Sequence, residues 1–350
     1  SGSSSDVAAA LDGTFASTYT GTALVSDAHT LAQLKTINNG TTGQITLNDY
    51  TVALNGSSSD VAAALDGSFA ANYTGTVSLT DAHTLAQLKT INNGTTNTIT
   101  LSDYSVALAG STADVKAALA GTFASTYTGN VTLSDAQATD ITATDITTIE
   151  GDTSGTVTVT NTIDINGSGS EVAAAFGAID TNTGNATATV TGSDYTAAQL
   201  KTINDATSGS ITLSNTGVAL SATSTILAAA FAGTVTTHTG TVTVTNSDYT
   251  LAELITINNA STGNITLNTN NVALTGTSSD LASALDGTIN HTGTVTITND
   301  DYTLAQLKAI NNGTSGSISI QHDIETSELV TVNDATQGSI TMSDGTQSLS

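Results

Sequence analysis

A chain of 350 residues with 31 Gly, no Pro, no Trp and no Cys departs from the usage of ordinary globular domains, and the missing Cys excludes disulfides and thiolate metal sites. Thirty acidic residues against five Lys leave a net charge of −25, which argues against nucleic acid and anionic membrane as partners, because phosphate groups would be repelled. No apolar run approaches the roughly 18 residues of a membrane helix, so no membrane insertion is expected.

The first predicted element is an Ala-rich helix in SSSDVAAALDG, around Asp6. The motif returns at Asp60 and Asp114, steps of 54, and in altered form at Glu171, Thr225 and Asp280. Next comes TLAQLKTINNG, whose Leu31, Leu34 and Ile37 fall on one face of a short helix. Copies carry Leu85/Leu88/Ile91, Ala143/Ile146/Ile149, Ala197/Leu200/Ile203, Leu251/Leu254/Ile257 and Leu304/Leu307/Ile310. Thr30 with Gln33, Thr84 with Gln87, Thr196 with Gln199, Thr250 with Glu253 and Thr303 with Gln306 fit capping boxes at the helix starts. Asn39-Gly40 and Asn93-Gly94 are predicted to end the helices in left-handed geometry.

Short alternating segments, read as strands, start at residues 23, 45, 77, 99, 131, 157, 188, 211, 242, 265, 295, 318 and 340. Their steps alternate between about 22 and about 32 residues, and a unit this small cannot bury a core alone. The expected fold is a parallel α/β solenoid of about 13 coils, each a strand plus a short helix, with a parallel β-helix as the alternative. It is expected to run as one continuous body over residues 1–350, with neither end capped.

The pattern L-x-x-L-x-x-I-N before I-x-L partly resembles a leucine-rich-repeat solenoid. LAQLKTINNGTTGxITLxDYxVAL is similar to the Thr/Gly/Asn/Asp-rich tandem arrays of giant exported proteins of cyanobacteria and other aquatic bacteria. That resemblance implies an extracellular or cell-surface location and a structural role, and it identifies no site. The end ITMSDGTQSLS, read into SGSSSDVAAAL, nearly restores the repeat. The expected partner is therefore a second copy stacked head to tail, or adjoining repeats of a longer chain. On this view the protein is a non-catalytic filament subunit or a segment of a surface or matrix protein. The alternative is a calcium-stabilised adhesin or a glycan- or ice-binding module.

No catalytic residue is expected. His29 and His83 share a repeat position with Gln137, Tyr195, Tyr249 and Tyr302, while His238, His291 and His322 lie elsewhere, and no copy pairs His with a nucleophile in sequence. Asp27, Asp49, Asp81, Asp103 and Asp135 recur just past the strands. They fit Asx turns and caps, or a ladder holding Ca²⁺; no other cofactor is called for. A second row, Thr46, Thr100, Thr132, Thr158, Thr189, Thr212, Thr243, Thr266, Thr296 and Thr341, occupies the outward strand position. It fits an ordinary β-surface, or a hydroxyl face for glycan or ice.

Overall fold

The computed structural model describes residues 1–321 and 340–342. Among them, repeated strand-plus-helix units form several small parallel sheets. The chain divides into two compact units: Ser1–Ile163 with Ala178–Asn185, and Asp164–Gly177 with Ala186–Ser350.

All five predicted capping boxes are present, at the helices Leu31–Gly40, Leu85–Gly94, Ala197–Ala206, Leu251–Ala260 and Leu304–Gly313. In each, the Thr hydroxyl accepts the N–H of the third helical residue, whose own side chain accepts from the Thr backbone, so two otherwise unpaired donors are satisfied together. Thr84→Ala is expected to cost about 1 kcal/mol, read as a lower denaturation midpoint at unchanged slope.

The helix ends differ from expectation. Gly40 and Gly94 lie inside their helices, and Gly287 is the glycine of positive φ among the described residues. Their small size serves close approach instead: a Cβ at Gly94 would stand 2.6 Å from Leu65 Cβ. The following helix therefore packs its last turn against the end of the Ser58–Leu65 helix.

Each predicted strand start carries a strand, but the strands do not form one ladder of thirteen. The roughly ten residues added in the longer coils, YTVALNGSSS in the first full one, are expected from their sequence to form an extra extended segment. They supply a strand of their own, Leu54–Gly56, which pairs in parallel with Val77–Leu79, itself paired with Ile99–Thr100. The same insertion recurs at Leu108–Gly110, Leu220–Ala222 and Leu274–Gly276. Ile45 instead forms an isolated bridge with Phe69.

The core lies between strands and helices. Leu88, Ile91, Val77, Ile99 and their counterparts are essentially inaccessible to solvent, each burial contributing about 1.5–3 kcal/mol. Helices of successive repeats pack side by side. Asn38, Asn92, Asn204 and Asn258 stitch those seams, each donating its side-chain N–H to a carbonyl of the next helix, at 2.7, 2.6, 2.7 and 2.7 Å. Two compact units with side-by-side helices, and Asn held in a helix seam, correct the resemblance to an extended leucine-rich-repeat array.

Candidate active site

Tyr73, Tyr127, His238 and His291 occupy one repeat position. Each forms an isolated parallel bridge with a hydroxyl residue of the next repeat: Tyr73 with Thr95, Tyr127 with Thr153, His238 with Ser261, His291 with Thr314. Each also directs a polar hydrogen at a Val carbonyl. Tyr73 Oη donates to Val52 at 2.6 Å and Tyr127 Oη to Val106 at 2.5 Å, while the Nε2 atoms of His238 and His291 donate to Val218 and Val272 at 2.8 Å. A buried carbonyl needs such a donor, so this position pins the backbone in these four copies.

The exchange of Tyr for His adds a second ring nitrogen. Because a carbonyl only accepts, the proton of His291 sits on Nε2, which leaves Nδ1 with a lone pair. Thr314 Oγ1 lies 2.9 Å from that Nδ1 and donates to it. In earlier copies the hydroxyl proton goes to a glycine carbonyl, Gly75 for Thr95 at 3.1 Å and Gly129 for Thr153 at 2.9 Å. At Thr314 the matching contact with Gly293 lengthens to 3.4 Å. The N–H of Gly316 donates to Thr314 Oγ1 at 3.0 Å and fixes its position.

The result is a hydroxyl on a base whose far nitrogen is held by a third group, the arrangement that activates a nucleophile. His291 and Thr314 are 2% and 8% exposed, and both line a cleft of about 360 Å³ with Asn270, Asn290 and Asn312. Burial pushes the His291 pKa below its ordinary value, the Val272 hydrogen bond acting in the opposite sense, so the imidazole is neutral at neutral pH. His238 is as deeply buried, but its Nδ1 has no hydrogen-bond partner.

In the first unit His29 and His83 meet the tyrosines. His29 Nε2 and His83 Nε2 lie 3.1 Å from Tyr73 Oη and Tyr127 Oη. Since each Tyr gives its single proton to a Val carbonyl, each His donates Nε2–H, and its buried Nδ1 is left without a hydrogen-bond partner. Burial lowers both histidine pKa values, against smaller opposing effects of Asp49 and Asp27 on His29, and of Asp103 and Asp81 on His83. Burial raises both tyrosines above the ordinary phenol range.

The predicted Asp residues fall into two sets. Asp27, Asp81 and Asp135 accept the N–H of the first residue of a helix, from Ser4 and Ser58 at 2.6 Å and from Thr112 at 3.0 Å. Asp49 and Asp103 instead accept the N–H two residues on, from Thr51 and Ser105, both at 2.8 Å, and their hydroxyls at 2.6 Å. Among the described residues, no three His, Cys, Asp or Glu gather as a metal site would require.

The predicted Thr residues all lie on strands, most in parallel register with Thr or Ser: Thr132 with Thr158, Thr189 with Thr212, Thr243 with Thr266. Leu24 pairs with Thr46, Ser78 with Thr100, Thr296 with Ser319, and Ser319 with Thr341. His322 lies outside the described residues.

Three expectations are corrected here. His291 does meet a nucleophile, Thr314, 23 residues away in sequence and adjacent through the parallel bridge. The chain buries His29–Tyr73 and Thr112–Asp135 hydrogen bonds and half-buries a Ser58–Gln87 one. Such buried, hydrogen-bonded polar groups are typical of a catalytic or ligand-binding site rather than of a purely structural filament. The buried network thus corrects the non-enzymatic expectation together with the filament and adhesin ones. No protein-family model matches the chain, and no curated protein matches it, so the likeness to tandem arrays of giant exported proteins has no support there either.

Proposed function

We propose that the protein is an acyl-transfer enzyme that cleaves small polar esters, with Thr314 as nucleophile, His291 as general base and the Val272 carbonyl as the group that orients the base. The observation that carries this is the Thr314 Oγ1–His291 Nδ1 hydrogen bond at 2.9 Å, with the other ring nitrogen committed to Val272. Oγ1 attacks the ester carbonyl as its proton passes to Nδ1. The alcohol then leaves with that proton, and Thr314 carries the acyl group. Water gives its proton to Nδ1 as its oxygen attacks the acyl carbon, and Thr314 Oγ1 recovers the proton as the acid departs.

Asn270, Asn290 and Asn312 favour a polar acyl group, and the net charge of −25 favours a neutral or cationic substrate over an anionic one. As the finer architecture carrying this site we propose a parallel α/β solenoid, supported by the 53-residue step from His238 to His291 and the 54-residue step from Tyr73 to Tyr127.

The test is labelling of the whole chain with a fluorophosphonate, followed by peptide mass mapping. One adduct on Thr314, lost in His291→Gln and in Thr314→Val but kept in Thr314→Ser, is the expected result. An adduct elsewhere, or labelling no faster than in Thr314→Val, would refute the assignment.

A further inference from the structure

The first unit holds two clefts of the same make, 54 residues apart, that the Thr314 site does not use. One, of about 420 Å³, is lined by Asp66, Phe69, Tyr73, Lys89 and Asn93 among others; the second, of about 770 Å³, by Asp12, Phe15, Tyr19, Lys35 and Asn39. The lysines are already neutralised, Lys89 by Asp114 and Lys35 by Asp60. Asp66 and Asp12 are exposed and form no ion pair among the described residues, so each cleft keeps one uncompensated carboxylate. Beside it stands an aromatic pair, Phe69 with Tyr73 and Phe15 with Tyr19, both with ring centroids 6.3 Å apart.

A carboxylate next to an aromatic wall recognises an organic cation, since the ring face attracts positive charge and the carboxylate completes it. We propose that these two clefts bind small alkylammonium solutes, the cationic nitrogen lying between Asp66 and Phe69 in one and between Asp12 and Phe15 in the other. Asn93 and Asn39 supply amide groups for a polar substituent.

Two other copies act as internal controls. The third copy keeps its aromatic pair, Phe123 and Tyr127 at 6.1 Å, but has Ala120 where the others have Asp. In the second unit a cleft lined by Asp286 has no aromatic residue in its wall, and Ile289, which bridges Ile265 as Phe69 bridges Ile45, stands at the Phe position.

Calorimetric titration of the full chain with tetramethylammonium chloride, at ionic strength fixed with sodium chloride, decides the matter. Two equivalent sites are expected, one after Asp66→Asn, none after Asp12→Asn is added, and three after Ala120→Asp. Phe69→Leu should weaken one site while circular dichroism stays unchanged. Binding that survives the double Asn variant, or no heat beyond that of the sodium control, would overturn the proposal, whatever becomes of Thr314.

Discussion

The His291→Tyr protein is expected to fold, to retain a melting transition, and to lose labelling of Thr314 by about 10²–10⁴-fold, the usual contribution of a positioned general base. Tyrosine already occupies this position at residues 73 and 127, where its hydroxyl donates to the same kind of Val carbonyl. The backbone pin is thus preserved, and only the lone pair facing Thr314 is lost. Without that acceptor the Thr314 proton should turn to the Gly293 carbonyl, as Thr95 turns to Gly75. Overpacking by the larger ring is expected to cost about 1–3 kcal/mol, a loss that chemical denaturation measures separately from reactivity. Unchanged labelling in a folded His291→Tyr protein would mean that Thr314 is not activated by His291.

The repeats, the capping boxes and the strand positions were legible because each is a local matter: a hydroxyl three residues before an acceptor, or two apolar residues flanking a Thr. The inserted strand at Leu54–Gly56 was legible only as extended backbone. Its pairing with Val77–Leu79 joins residues 23 apart in sequence, a long-range match that no local pattern specifies. The candidate site was hidden for a related reason. His291 and Thr314 are 23 residues apart and meet only through a parallel bridge between successive repeats.

A signal was nevertheless present in the sequence. Tyr19, Tyr73 and Tyr127 are spaced by 54 residues, each two residues before a Gly, and His238 and His291 also stand two residues before Gly240 and Gly293. Aligning on that glycine places the histidines in the tyrosine position, whereas comparing histidines only with one another conceals it. The Asn-Gly pairs misled because Gly answers two different needs, a positive φ and the absence of a Cβ. At Gly94 the second need applies, with Leu65 occupying the space a side chain would take.

Acid should destabilise the protein in two stages, the first near the ordinary imidazole pKa of 6.5. His29, His83, His238 and His291 all titrate below that value in the folded chain, because burial penalises the charged ring. Between the folded and unfolded values the unfolded chain therefore binds more protons, so stability rises with pH across that window and falls as pH drops below 6.5. The partnerless Nδ1 atoms of His29, His83 and His238 sharpen the effect, since a proton placed there finds no acceptor. The second stage sets in below about 4, where Asp49, Asp60, Asp103 and Asp114, held below their ordinary value of 3.8 by hydrogen bonds from Thr51, Lys35, Ser105 and Lys89, take up protons. Urea titrations from pH 8 to pH 5 should show the midpoint constant at first and then declining below 6.5. His83→Gln, which installs the residue found at the equivalent position 137, should make that decline shallower, because one proton fewer is then taken up on unfolding. A midpoint that stays flat down to pH 5 would show that the buried rings are charged without cost, and with that the neutral base required at His291 would lose its physical ground.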